Sequence, residues 1–185
     1  MQVISFLDGM TPLSSKPYPF TQLQLDWLAS LKSGKYKQGH GYLKDNQDGY
    51  CCLGVLCELA GFPTEKLEGA KCYLFKDVTS NQSSSSYLPE SLTRLGLFNN
   101  SIGKFVWAAR FPNVDYGKPK DESFGVEFSD SPCKQDIGHT SLGCMNDAKM
   151  IKTESGEMRS FTFREIADYI EFDPWNVFRA PPLVE

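Results

Sequence analysis

The run DGYCCLGVLCELAG, residues 48–61, places three of the chain's six cysteines in an otherwise apolar segment. Cys52 stands where a helix is expected to begin, and a helix N-terminus lowers the pKa of a thiol. With a histidine as base, such a thiol becomes a nucleophile. The chain has two histidines, His40 and His139. His139 lies downstream in GHTSLG, a segment of strand length. The competing reading makes Cys51, Cys52 and Cys57 small buried side chains, the commonest fate of a free cysteine. The other three, Cys72, Cys133 and Cys144, are scattered. There is no C-x-x-C pair and no zinc-knuckle spacing, so no metal site is expected.

A second set of residues suits binding without turnover. Tyr36, Lys37, Gln38, Tyr42, Tyr50, Arg110, Asn146 and Asp147 offer ring faces, cations and hydrogen-bonding groups. Aromatic faces for a base, with Lys37 or Arg110 for a phosphate, would hold a small polar or nucleotide-like ligand. No Gly-x-x-x-x-Gly-Lys-Ser/Thr loop and no Gly-x-Gly-x-x-Gly fingerprint is present, and no cofactor is expected. Asn146-Asp147 follows the apolar Cys144-Met145, which suits an Asx turn or a buried acceptor and amide facing a ligand.

Several elements must position these groups. In residues 20–34, Phe20, Leu23, Trp27, Leu28 and Leu31 recur at helical steps, with Thr21 as cap and Gly34 beyond the end. Residues 35–50 alternate weakly and end in DNQDG, which predicts a turn within a hairpin or an extended arm. Residues 52–59 predict a short buried helix closed by Gly61, and Pro63 forbids its extension. Residues 71–78 predict a strand, and TSNQSSSS at 79–86 a mobile polar loop. YLPESLTRLGL predicts a helix with Pro89 in its first turn and Gly96 at its end. SIGKFVWAARFP is apolar with an ambiguous period, FGVEF at 124–128 predicts a strand, and residues 129–143 carry mixed turn chemistry. The strongest signals belong to the last helix. Thr162 and Glu165 form a capping box, Phe161 and Ile166 a staple, and Phe163, Ile166, Ala167 and Ile170 an apolar stripe that Asp173-Pro174 terminates.

The totals bound the class. A chain of 185 residues with 41% hydrophobic and 23% charged residues suits one globular domain, residues 1–185, with 1–19 as an irregular arm. The expected fold is α+β: a small, mainly antiparallel sheet packed with at least three helices. A net charge of −4 and no dense basic run disfavour extended nucleic acid as a partner. No segment approaches the ~18 apolar residues of a membrane span, and the N-terminus lacks the pattern of a secretory signal. These features predict a cytoplasmic protein with reduced thiols.

Two resemblances attach to these residues. Cys52-Leu53-Gly54-Val55-Leu56 resembles the cysteine-bearing helix start of the NlpC/P60 group of papain-like hydrolases, which implies a hydrolase using Cys52 and His139. Cys51 and Leu53 replace the aspartate and serine usual in that group. More broadly, LKSGKYKQGHGYL, YCCLGVLCELAG, YLPESLTRLGL, MND and SFTFREIADYIE together resemble a group of small proteins encoded in bacteriophage and actinobacterial genomes. That resemblance spans most of residues 27–171. It implies an accessory protein acting as a non-catalytic binding module, sequestering a small nucleotide-like host signal or binding a host protein. The papain-like hydrolase is the alternative.

Overall fold

The computed structural model describes Leu7 and residues 10–94, 98, 104–106, 139–149, 151–153 and 155–178. The chain folds as α+β, and its described helices gather around one apolar core. The first, α1 (Gln22–Lys32), is closed at its start by a capping box. Thr21 Oγ1 accepts from Gln24 N–H at 3.3 Å and Gln24 Oε1 accepts from Thr21 N–H at 2.8 Å. Such a cap stabilises by about 1 kcal/mol. Beyond the helix Gly34 adopts φ +73°, the left-handed conformation that ends helices and suits glycine. The buried face of α1 is Gln24, Trp27, Leu28 and Leu31, with Trp27 wholly enclosed.

A two-residue strand β1 (Lys37–Gln38) pairs with β2 (Gly49–Tyr50) in parallel. The expected DNQDG turn lies between them. Asp45 Oδ1 accepts from the N–H groups of Gln47 and Gly49, both at 2.8 Å, and Asp48 takes φ +58°. Lys44 and Tyr50 flank the turn as an antiparallel bridge. The hairpin is therefore confined to residues 44–50. Gly41, at φ +78°, breaks the stretch before it, so β1 runs parallel to β2 rather than forming the hairpin's second arm.

Helix α2 (Cys52–Leu59) follows at once, and its residues 52–57 are all buried. Trp27 Nε1–H donates to the Cys52 carbonyl at 2.8 Å, joining α1 to α2. Gly54 is needed for packing. A Cβ there would overlap the Leu43 carbonyl oxygen, so the chain at residue 43 lies directly on the helix. Gly61, at φ +76°, closes α2 as expected.

Next come β3 (Thr64–Lys66), β4 (Tyr73–Asp77) and β5 (Gln82–Ser84), an antiparallel sheet in the order β3-β4-β5. Strand β5 corrects the expectation of a loop throughout 79–86. Asn81 at φ +55° makes a tight reversal, and the serines beyond it complete hydrogen bonds that β4 leaves open. Helix α3 (Glu90–Arg94) starts after Pro89, whose carbonyl accepts from Leu92 and Thr93 N–H. Pro89 thus precedes the helix rather than sitting in its first turn, and Gly96 lies outside the described residues.

Within the ambiguous stretch, β6 (Lys104–Val106) is a strand, antiparallel to β7 (His139–Ser141). The FGVEF strand lies outside the described residues. Ser141 caps α4 (Leu142–Asp147), its Oγ accepting from Cys144 N–H at 3.1 Å. A small hairpin, β8 (Ile151–Lys152) with β9 (Met158–Arg159), leads to α5 (Phe163–Phe172) and then α6 (Pro174–Val177). The Thr162–Glu165 capping box is present. Arg159 adds a two-pronged ion pair to Glu165, both N···O distances 2.7 Å. Phe163, Ile166, Ala167 and Ile170 are buried, as the stripe predicts, and Tyr169 joins them.

Candidate functional site

Three of the residues picked out for binding, Gln38, Asn146 and Asp147, meet where the end of β1 crosses the end of α4. Gln38 Nε2–H donates to Asn146 Oδ1 at 3.0 Å and to the Phe161 carbonyl at 2.8 Å. Gln38 Oε1 accepts from Phe163 N–H at 3.2 Å, so one amide also covers the start of α5. Asn146 Nδ2–H donates to the Gly39 carbonyl at 2.8 Å and to Asp147 Oδ1 at 2.7 Å. Asn146 is wholly buried, and these bonds occupy its amide. Four of the strings behind the broader resemblance, those holding Gln38, Cys51-Cys52, Asn146-Asp147 and Phe161–Phe163, converge around this knot.

Its outer face carries His40 and Asp147. His40 Nδ1 lies 2.9 Å from the Asn146 carbonyl; a carbonyl only accepts, so Nδ1 carries the hydrogen. Asp147 Oδ1 accepts from Gly41 N–H at 3.1 Å and stands 3.7 Å from His40 Nδ1. The two side chains are 56% and 39% exposed. Desolvation nevertheless raises the Asp147 carboxyl above its ordinary value, against the lowering influence of Asn146, Gly41 and His40. The contacts described for the His40 ring are this carbonyl and this carboxylate.

The thiols of α2 do not supply a nucleophile. Cys51, not Cys52, is the N-cap, and its sulfur accepts from Gly54 N–H at 3.3 Å. Cys52 is wholly buried, with its thiol directed at the Leu142 carbonyl at 3.4 Å. Burial pushes the Cys51 thiol up to about 12 and raises Cys52 and Cys57 well above their ordinary values. The helix-terminus effect that favours a thiolate is outweighed by desolvation. His139 lies on β7, three residues before Leu142. Cys51, Cys52, Cys57 and Cys72 are free, whereas Cys144 is disulfide-bonded, a departure from six reduced thiols.

The other binding candidates scatter. Tyr36 and Tyr50 pack edge to face at 5.2 Å, and Tyr50 is buried beneath the Lys44 ammonium. Lys37 is exposed and reaches the Gln47 carbonyl at 3.4 Å, and Tyr42 is half-buried. Arg110 lies outside the described residues. Among the described residues no group of three or more His, Cys, Asp or Glu is placed to hold a metal. No described helix is long and apolar enough to cross a membrane.

A cleft of about 460 Å³, absent from the sequence reading, opens between the β4–β5 hairpin and α3. Phe75, Asp77, Gln82, Tyr87 and Thr93 line it. A smaller hollow of about 280 Å³ shares Asp77, Gln82 and Glu90 and adds Ser80. Asp77 is 1% exposed and organises both. Its Oδ1 accepts from Thr79 and Ser80 N–H at 2.9 and 3.3 Å, and its Oδ2 accepts from Ser91 N–H at 2.8 Å. Burial raises its carboxyl, but the Ser91, Thr79 and Ser80 donors prevail and hold it at about 2. The hydroxyls of Ser80 and Thr93 are buried without a hydrogen-bond partner. The one local sequence signal was Asp77 two residues before Thr79, the spacing of an Asx turn.

A family model described as "Domain of unknown function (DUF8296)" matches residues 21–173. No curated protein and no solved structure matches the chain.

Proposed function

Because the chain belongs to the DUF8296 family, whose description names no activity, we propose from its geometry that it is a binding module without turnover, holding a small polar ligand in the cleft between the β4–β5 hairpin and α3. One observation carries this reading. A hollow of ligand size is walled by Phe75 and Tyr87 and floored by the buried Asp77, with the unpartnered Ser80 and Thr93 hydroxyls beside it. Apolar walls with a few fixed polar groups are the usual make-up of small-molecule sites, and a buried polar atom without a partner is costly. The knot around Asn146 supports the same reading from the other side, since its amides are taken up in holding β1, α4 and α5 together.

The test is a thermal-shift screen of the full chain with small polar molecules, cyclic and linear nucleotides included. A ligand that binds only the folded state raises the melting temperature with concentration. A shift that Thr93→Val or Tyr87→Ala abolishes, with the ligand recovered unchanged, supports the proposal. A chemically altered ligand makes the protein an enzyme and sinks it. A shift that survives both substitutions moves the site out of the cleft.

A further inference from the structure

Residues 10–18 form neither helix nor strand, and they lie against the residues that open and follow α6. Leu13 N–H donates to Asp173 Oδ1 at 2.6 Å, and Trp175 Nε1–H donates to the Lys16 carbonyl at 2.7 Å. The Tyr18 ring stands edge-on to Trp175 at 5.0 Å and tilts against Phe178 at 5.4 Å. Its hydroxyl is bonded to the Gln24 side chain on α1. Two more bonds are local, Met10 N–H to the Leu7 carbonyl and Lys16 N–H to Ser14 Oγ. Pro12, Pro17 and Pro19 have no N–H to add to a ladder. The fixed body begins at once beyond Pro19, where the Thr21 capping box holds the start of α1. The family match, residues 21–173, takes in that body and leaves out both residues 10–18 and α6.

A segment held by a few long-range ties, with no ladder of its own, opens at a lower free energy than the core it covers. We infer that residues 10–18 are a strap that opens as a unit, swinging about Pro19 while residues 21–173 stay folded. Asp173 and Trp175 are its latch. Open, it uncovers the Trp175 ring and one side of Phe178, which is 2% exposed when the strap is closed. Phe20 meets Phe178 at 6.0 Å and keeps that contact, because the cap beside it fixes its place. Trp27 and Phe98, wholly buried against the Phe178 ring, also stay packed. The strap is thus a lid on an aromatic surface, and the inference does not rest on the cleft being a ligand site.

Native-state hydrogen exchange of the full chain, read by NMR in rising but sub-denaturing urea, tests this. The Leu13 amide reports the latch to Asp173, and the Ala167 and Ile170 amides, inside α5, report opening of the core. Local opening exposes little surface and so depends weakly on urea, whereas global unfolding depends on it steeply. The expected result is a Leu13 amide that is protected, yet exchanges about tenfold or more faster than Ile170 once intrinsic rates are removed. Its rate is nearly flat in urea until the steep line of the α5 amides meets it. Trp175→Phe keeps a ring in place and removes the donor to Lys16, and it speeds Leu13 exchange about fivefold.

A Leu13 amide with the free energy and urea slope of Ile170 overturns the inference, since the strap would then open only with the core. An unprotected Leu13 amide overturns it from the other side, because nothing would be holding the strap shut. A Leu13 rate unmoved in Trp175→Phe removes the latch and the inference with it. The urea slopes are read on the parent chain, so they decide the matter whatever the variant does to folding.

Discussion

The side-chain amides of Gln38 and Asn146 hold each other across 108 residues of sequence, with Gln38 Nε2–H donating to Asn146 Oδ1 at 3.0 Å. Each also bonds a backbone group: the Gly39 carbonyl accepts from Asn146, and Phe163 N–H donates to Gln38. Substituting Asn146→Leu keeps the volume and strands those partners. A buried polar group left alone costs about 1–3 kcal/mol. Urea unfolding of this variant is expected to show a loss of about 2–3 kcal/mol, and an unchanged midpoint would mean that the knot contributes nothing to stability.

Gly54 is irreplaceable for a different reason. The carbonyl of Leu43 occupies the place where a Cβ would be, and backbone yields less readily than a side chain. Overpacking of this kind costs about 1–3 kcal/mol and often more. Gly54→Ala is therefore predicted to lower the melting temperature sharply or to prevent folding. Gly143 makes the control: a Cβ there would meet only Ser141 Oγ at 3.7 Å, so Gly143→Ala should be neutral or mildly stabilising.

Thiol labelling separates burial from reactivity. Cys51, Cys52 and Cys57 are buried with their pKa values raised, while Cys72 is half-buried. Iodoacetamide near neutral pH should modify Cys72 first and leave the three helix thiols intact until the chain unfolds, as read by mass spectrometry of tryptic peptides. Rapid modification of Cys52 in the folded protein would restore the case for a nucleophile.

Acid sensitivity follows from two carboxyls held below their ordinary values. Asp77 is kept at about 2, and burial of Glu165 is outweighed by Arg159 and Thr162. A group whose folded pKa is depressed stabilises fully above its unfolded value, and this stabilisation fades as pH falls towards the folded one. For Asp77 the window runs from roughly pH 4 down to about 2. Asp147 has the opposite sign, since its raised pKa makes it most favourable when protonated. Asp77→Asn should therefore flatten the acid limb of a stability–pH curve between pH 4 and 2 relative to the parent chain. An identical limb in both would dismiss the carboxylate's role.

Local chemistry was legible where a few neighbouring residues decide it. Thr21, Gly34, Gly61 and the Thr162–Glu165 pair mark helix ends because their partners lie within four residues. The strand at 73–77 and the closing of α5 were readable on the same footing. Gln38, Asn146 and Asp147 were identifiable by type, but not as partners of one another, since only the packing of α2, α4 and α5 brings them together. The parallel pairing of β1 with β2 was hidden because its strands are too short to show a period. Strand β5 was masked by a serine run whose structure comes from its neighbour β4 rather than its composition. Cys52 invited a chemical reading because helix position is visible in a sequence and desolvation is not.

The long reach of the Asn146 knot also sets an order on folding. Gln38 finds its acceptors at residues 146 and 161, and its donor at 163, so that corner cannot close until residue 163 has been made. Contacts of such sequence separation carry a large loop-closure entropy and slow the search. The α1–α2 pair and the β3-β4-β5 sheet, each built from neighbours, can form while the C-terminal third is still emerging from a ribosome. The amides of Gln38 and the carbonyl of Gly39 stay hydrated until α4 and α5 arrive. Closing that corner therefore comes after the local elements on which it depends.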